Sequence, residues 1–337
     1  MHVVKVRNAH AALEVGLSHL LVNGMLQDSR NGKVIVTPHP VTTMYVKPDE
    51  RVIFWKRRDA NPFFHFFEAL WMLAGRKDVK FVEQFSKNIR SYADDGKSFH
   101  GAYGHRWRNF FPMDQLVVIA DILKKNPDDR RAVLQMWDAK ADLGKEGLDF
   151  PCNTQIYFRV VKGLLDMTVC NRSNDIIWGA YGANVVHMSM LQEYMAGMIG
   201  CPLGTYYQMS NNFHAYMEII DKGLKELITD QEKCPYTSGT VKPFPMFDGH
   251  TVPSTWLEDL EIFLSEGPIV GFRHRFFRRV VTPMWNSHRH FKTASGLDKY
   301  DGASEILEQC EASDWRLACQ EWIERRKVAY IRKGEKE

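Results

Sequence analysis

Two stretches of β-branched, aromatic and aliphatic residues, 155–161 and 164–171, flank Lys162-Gly163 and predict a β-hairpin. If Lys162-Gly163 is a two-residue turn, Val161 faces Leu164. Counting outward then sets Cys152 opposite Ser173, beside Arg172. A one-residue bulge would shift that register without parting the thiol from the guanidinium. Elsewhere the apolar period is helical. Leu13, Val15, Leu17, Leu20 and Leu21 predict a helix over 11–24, and Asn61-Pro62 opens another over 63–74 that Gly75 stops. This second helix is apolar almost all round and belongs inside the protein, yet it carries His65 and Glu68. Further helices are expected over 79–88, 115–125, 185–199 and 211–227. Short strands are expected over 34–36, 42–46, 132–137 and 206–209, with a turn-rich loop at 28–32.

Residues 234–254 are rich in Pro and Gly and read as irregular, whereas 255–264 and 303–331 read as helical. No repeat or low-complexity tract interrupts the chain. Strands and helices mix without a regular βαβ alternation. The expected class is therefore α+β, with one large sheet covered by helices, rather than a doubly wound fold. The expected organisation is a catalytic domain over 1–232 and an irregular, then helical, C-terminal extension over 233–337 packed on it.

Hydrophobic residues are 45% of the 337, ample for a core. A net charge of +3 spread over so large a surface gives no argument for nucleic acid as a partner. Basic residues cluster locally at Lys56-Arg57-Arg58, Arg130-Arg131 and Arg273-His274-Arg275. Such clusters suit the phosphate or carboxylate of a small anion, although a solvated face is the ordinary reading of each. The six cysteines are scattered with no C-x-x-C pair, so neither a zinc site nor a disulfide framework is expected. The first residues lack the apolar run of a signal peptide, and no segment is long enough to span a membrane. The expectation is a soluble protein of a reducing cytoplasm (a host's, if the source is viral), with no membrane partner.

Cys152 at the hairpin mouth is the first chemical candidate, because a neighbouring guanidinium favours thiolate, the nucleophilic form. By itself such a cysteine is more often a small buried apolar residue ending a strand. Glu68 is the second. A carboxylate in apolar surroundings is costly unless hydrogen-bonded or protonated, which suits a proton shuttle as well as a satisfied core residue.

Six motifs stand in one order: Glu68-Ala69-Leu70-Trp71; Tyr103-Gly104-His105-Arg106-Trp107-Arg108; Pro127-Asp128-Asp129-Arg130-Arg131; Pro151-Cys152; Arg172-Ser173-Asn174-Asp175 with Gly179; and His214-Ala215-Tyr216. On these, the chain from about residue 10 to about residue 225 resembles the thymidylate synthases and their pyrimidine hydroxymethylase relatives. The resemblance implies a thymidylate synthase-like fold, a large mixed sheet flanked by helices, and a homodimer whose sheets pack back to back. It implies a pyrimidine deoxynucleoside monophosphate as substrate and 5,10-methylenetetrahydrofolate as one-carbon donor. Cys152 would add to C6 of the base, making C5 nucleophilic, with Tyr103 and Glu68 as candidates for removing the C5 proton. Arg30, Arg172 and Ser173 would hold the phosphate, joined by Arg130 and Arg131 from the partner subunit. His214 and Tyr216 would hold the sugar 3′-hydroxyl. Asp175 would pair with the pterin, and Gly179, Trp107 and Arg58 would serve the same cofactor.

The chain departs from the synthases in places. Asn153-Thr154 follows the nucleophile where they usually carry His, and Asn174 follows Arg-Ser where they carry Cys or another small residue. Both features resemble the hydroxymethylase branch. The synthases close over the folate with an apolar tail, whereas Arg332-Lys333-Gly334-Glu335-Lys336-Glu337 is too polar to cap a dry site, which favours water over hydride at the last step. For the base, an Asn pairs with uracil O4 and N3–H, whereas an Asp matches the cytosine amino group. Counting from Arg172 the reading position is Ala183, with Asn184 one further. The Gly-rich run 179–184 would absorb the extra residue, and no Asp occurs over 176–220. The expectation is a dUMP hydroxymethylase. A dCMP hydroxymethylase, a thymidylate synthase, and a catalytically silent nucleotide-binding relative stay open as alternatives.

Overall fold

Residues 1–230 and 232–334 are described in a computed structural model. Its strands are β1 (His2–Val6), β2 (Met25–Ser29), β3 (Gly32–Val36), β4 (Val41–Tyr45), β5 (Val133–Gln135), β6 (Asn153–Val161), β7 (Leu164–Asn171), β8 (Asn174–Asp175), β9 (Leu203–Ser210) and β10 (Phe213–Tyr216). The hairpin forms as β6–β7, with Val161 opposite Leu164, and Lys162 and Gly163 both at positive φ as a two-residue turn of this kind requires. A bulge at Thr154 then shifts the register: Gln155 pairs with Cys170, but Asn153 pairs with Asn171. Cys152 therefore faces Arg172 rather than Ser173, and the Arg172 N–H donates to the Cys152 carbonyl at 3.0 Å.

The expected single sheet is two. One has six strands in the order β1-β4-β9-β7-β6-β5, mixing parallel pairs (β1 with β4, β7 with β9) with antiparallel ones. The other has four strands in the order β2-β3-β10-β8. Two neighbouring parallel strands step from the first sheet into the second. β7 continues through Arg172-Ser173 into β8, and β9 continues through Asn211-Asn212 into β10. Backbone bonds tie the two steps together, Asn211 N–H to Asn171 and Asn174 N–H to Asn212, both at 2.9 Å.

Helices Ala9–Asn23, Pro62–Leu73, Gln115–Lys125 and Asn184–Ile199 appear close to their expected places. The Pro62–Leu73 helix is buried as its composition demands, with Phe66, Phe67, Ala69 and Leu70 fully covered. Three expectations fail locally. The helix over 79–88 is one turn, Val79–Val82, followed by a 3-10 segment at Lys87–Tyr92. The helix from 211 is instead β10, because His214 pairs with both Val36 and Asp175; helix is confined to Met217–Asp221 and broken at Gly223, φ 104°. The 28–32 loop is the tip of a β2–β3 hairpin, turning at Arg30-Asn31.

The chain divides into two compact units, Met1–Arg51 with Phe64–Glu232, and Val52–Phe63 with Lys233–Glu337. Residues 52–63 group with the second unit for physical reasons. Asp59 pairs with Arg325 and Arg326, the Val52 N–H donates to the Tyr236 hydroxyl, and Phe63 lies edge-on to Trp322. This second unit is helical at Pro253–Glu266, Thr282–Thr293, Asp298–Leu307 and Ser313–Gly334, around buried Trp256, Phe277, Leu307 and Ile323. The helix expected over 303–331 breaks where the Glu311 N–H bonds the Arg279 carbonyl instead. Among the described residues no helix is long and apolar enough to cross a membrane.

Candidate active site

The step between the sheets makes a cavity of about 620 Å³ lined by Arg30, Arg172, Ser173, His214 and Tyr216, five of the residues the sequence nominated for a nucleotide. Each reaches it by a local rule. His214 and Tyr216 are two apart on a strand, so they share a face; their rings meet edge-on with centroids 5.6 Å apart. Arg30 sits at the β2–β3 turn and donates to the Gly147 carbonyl at 3.1 Å. Arg172 donates to the Pro151 carbonyl at 2.9 Å and lies over the Trp137 ring. It thus pins the segment that delivers Cys152 while facing the cavity.

Cys152 is half-buried, one of six free thiols. Burial pushes its thiol above the ordinary range; Arg172 and Arg30 pull it back, Asp149 pushes further, and the Tyr103 hydroxyl bonds the sulfur. The expectation that Arg172 would favour thiolate is right in sign and insufficient in size. Burial wins, so the resting group is a thiol. Tyr103 is displaced upward in turn, chiefly by burial and by facing Cys152. Asp149, absent from the sequence reading, accepts from the Gly101 N–H at 2.8 Å, and burial raises it. Its only sequence signal was its place three residues before Cys152.

Behind the thiol the surroundings turn polar and dry. Asn153 is fully buried, and neither of its amide atoms has a hydrogen-bond partner among the described residues. Leaving such a group unsatisfied costs roughly 1–3 kcal/mol, a cost usually retained where a ligand completes the bonding. Asn184 lies at the start of the Asn184–Ile199 helix, just after a π-type segment, Ile176–Ala183, distorted at Tyr181 and Gly182. The distortion falls within the Gly-rich run that the count from Arg172 crosses. Asn184 donates to the Asn174 carbonyl oxygen at 3.3 Å, and Asn174 donates to the Ser210 hydroxyl at 3.0 Å. A Cβ on Gly179 would lie 2.5 Å from the Asn174 oxygen and 3.1 Å from the Asn184 nitrogen, so this glycine makes room for the amide pair. On the facing helix, Glu68 Oε2 lies 3.1 Å from Nε2 of His187. His187, which the sequence reading passed over, is 2% exposed. A histidine one turn past Asn184, in the mostly apolar first half of its helix, was the available signal.

Cys152, Tyr103, Glu68, Asn184 and Gly179 do not line the cavity itself, and neither do the remaining nominees. Arg130 and Arg131 are exposed, and Arg131 pairs with Asp129 two residues away. Within one chain the pair stays exposed because its turn precedes an edge strand, β5. Asp175 caps the π-type segment, accepting from the Ile177 and Trp178 N–H groups. Trp107 is fully buried, and Arg58 is buried within the second unit. Part of the polar tail, 335–337, lies outside the described residues.

Comparison with known proteins agrees with this geometry. The thymidylate synthase family model matches residues 16–252. A deoxyuridylate hydroxymethyltransferase of Pseudomonas phage M6 is 52% identical over 338 residues, covering 98% of this chain and 96% of that one. A protein of the same name from Bacillus phage SP01 is 39% identical, covering 58% of this chain and 53% of that one. A third, from Delftia phage PhiW-14, is 29% identical over 69% of this chain and 68% of that one.

Proposed function

The chain belongs to the thymidylate synthase family, and on that premise we propose that it hydroxymethylates dUMP at C5, with methylenetetrahydrofolate as the one-carbon donor. The single observation that carries the choice of base is Asn184. It follows directly on the π-type segment, and one N–H of its side-chain amide donates to the Asn174 side-chain oxygen, which supports a fixed orientation of the amide. An amide held in that orientation offers uracil both a donor and an acceptor, whereas cytosine presents the reverse pattern and would mismatch both. The relatives' printed names point to the same substrate.

The chemistry follows from the residues. The phosphate enters the cavity against Arg30, Arg172 and Ser173, and the sugar against His214 and Tyr216. Cys152 adds to C6 while its proton departs, with the Tyr103 hydroxyl at the sulfur placed to carry it. C5, now enolate-like, takes the one-carbon unit that the folate supplies. Tyr103 and Glu68 are the candidates for removing the C5 proton. Loss of that proton, with cleavage of the carbon–nitrogen bond to the folate and departure of tetrahydrofolate, would leave a methylene on C5, to which water adds before Cys152 leaves. For the folate, Asp175 and the exposed Trp178 offer a carboxylate beside an aromatic face, a donor set that suits a pterin. Trp107, being buried, could serve it only from behind.

Arg130 and Arg131, exposed on an edge-strand turn, are assigned to the phosphate of a partner subunit in a homodimer. A C152S protein and an R130A/R131A protein, each inactive alone, would then regain activity when mixed. A cytoplasmic location, a host's if the source is a phage, is proposed alongside this reading. The deciding experiment supplies dUMP or dCMP with methylenetetrahydrofolate and reads the nucleotide's mass together with dihydrofolate absorbance. Hydroxymethyl-dUMP without dihydrofolate is expected. Thymidylate with dihydrofolate would replace the reading by a synthase, and a product from dCMP alone would replace the base.

A further inference from the structure

The final addition of water needs a base that holds the water and takes its proton; in the cavity wall His214 is assigned to the sugar, Asp142 is tied to Arg106 and His100, and Glu146 is exposed. The Glu68–His187 pair has the right properties. Both side chains are largely buried, on facing helices, with Glu68 Oε2 and His187 Nε2 at 3.1 Å. Despite that approach, neither His187 ring nitrogen makes a hydrogen bond among the described residues, so the imidazole stands beside the carboxylate but off its axis. His65 packs edge-on against the same ring, centroids 6.5 Å apart, which holds it in place. His187 is also three residues after Asn184 on one helix, hence on the same face one turn away. The residue that reads the uracil O4 edge thus has this pair beside it, and C5 is the ring atom next to C4.

We propose that the Glu68–His187 pair activates the water that attacks the C5 methylene, which commits the reaction to hydroxymethyl rather than methyl. The inference rests on the dUMP hydroxymethylase reading above. The water oxygen bonds the exocyclic carbon, and that carbon's double-bond electrons move through C5 into an enolate at O4. The water proton passes to the His187 imidazole, whose cation the Glu68 carboxylate stabilises. The enolate then re-forms the C5–C6 double bond and expels the Cys152 sulfur. No oxidant or reductant is required.

The test compares His187→Ala and the isosteric His187→Gln with the unsubstituted enzyme, supplying dUMP tritiated at C5, methylenetetrahydrofolate and 2-mercaptoethanol. A separate incubation with 5-fluoro-dUMP and the folate reports folding and the early steps, because that nucleotide stalls before water adds. In both variants the 5-fluoro adduct and tritium release are expected to persist. Hydroxymethyl product should fall about 100-fold, the scale of one general base, with the stranded methylene captured by thiol as a C5 thioether. Added imidazole should restore hydroxymethyl product in His187→Ala. Hydroxymethyl formation at the original rate in either variant would overturn the proposal. So would equal loss of adduct, tritium release and product in both, which would make His187 structural. If the unsubstituted enzyme itself makes thymidylate, the functional reading fails first and takes this inference with it.

Discussion

The cavity's rim and the buried protein interior around Asn153, Asn184 and His187 use polar groups in opposite ways. At the rim, Arg30 and Arg172 rest on the backbone carbonyls of Gly147 and Pro151, bonds that a phosphate dianion can replace or share. In that interior, outside the cavity lining, Asn153, Asn184 and His187 are each less than one-tenth exposed, and the side chains of Asn153 and His187 have no hydrogen bond among the described residues. Polar groups that water can reach cost little and bind in proportion to charge. Polar groups sealed from water cost stability and discriminate by geometry. The rim should therefore set how tightly a nucleotide binds, and the interior should set which base reacts and how it ends.

Substitutions can break that division, beginning at the nucleophile between the two regions. Cys152→Ser should abolish turnover by at least about 10⁴-fold while nucleotide binding, followed by calorimetry, persists. Asn184→Asp tests the interior. It should lower kcat/KM for dUMP by about 100-fold and admit dCMP, since a site built on hydrogen bonds penalises the wrong edge heavily. A variant that only weakened both nucleotides equally would return Asn184 to the rim class. Arg172→Lys should cost about 10- to 100-fold in kcat/KM, spread over both constants, because it loses a charge-assisted bond and also frees the Pro151 carbonyl. Arg30→Ala should raise KM about tenfold and leave kcat nearly unchanged, the signature of uniform binding.

A smaller effect concerns the thiol. Because burial raises its pKa, alkylation of Cys152 by iodoacetamide should increase with pH, with a midpoint above that of an ordinary thiol. Asp149→Asn removes a negative charge facing the thiolate and should move that midpoint down. A midpoint already below the ordinary range would mean that the arginines, not burial, dominate.

The rim was largely legible in the sequence and the interior was not. The family resemblance nominated Arg30, Arg172, His214 and Tyr216, even though His214 and Tyr216 were placed on a helix rather than on β10. The hairpin register was readable to within one bulge, because period-2 patterning and the Lys162-Gly163 turn fix it. The second sheet was missed because its strands are short, β8 only Asn174–Asp175, and β2 is wholly exposed, so no hydrophobic alternation marks them. The pairing of Asn174 with Asn184 depends on a π-type distortion that spacing rules cannot express, and counting alone pointed to Ala183. Asp149 and His187 act through burial, which arises only when distant segments meet.

The most direct test of the account is tryptic mapping of the protein after incubation with 5-fluoro-dUMP and methylenetetrahydrofolate. The account predicts a ternary adduct on the peptide containing Cys152. A protein that turns over dUMP and folate yet leaves that peptide unmodified would contradict it.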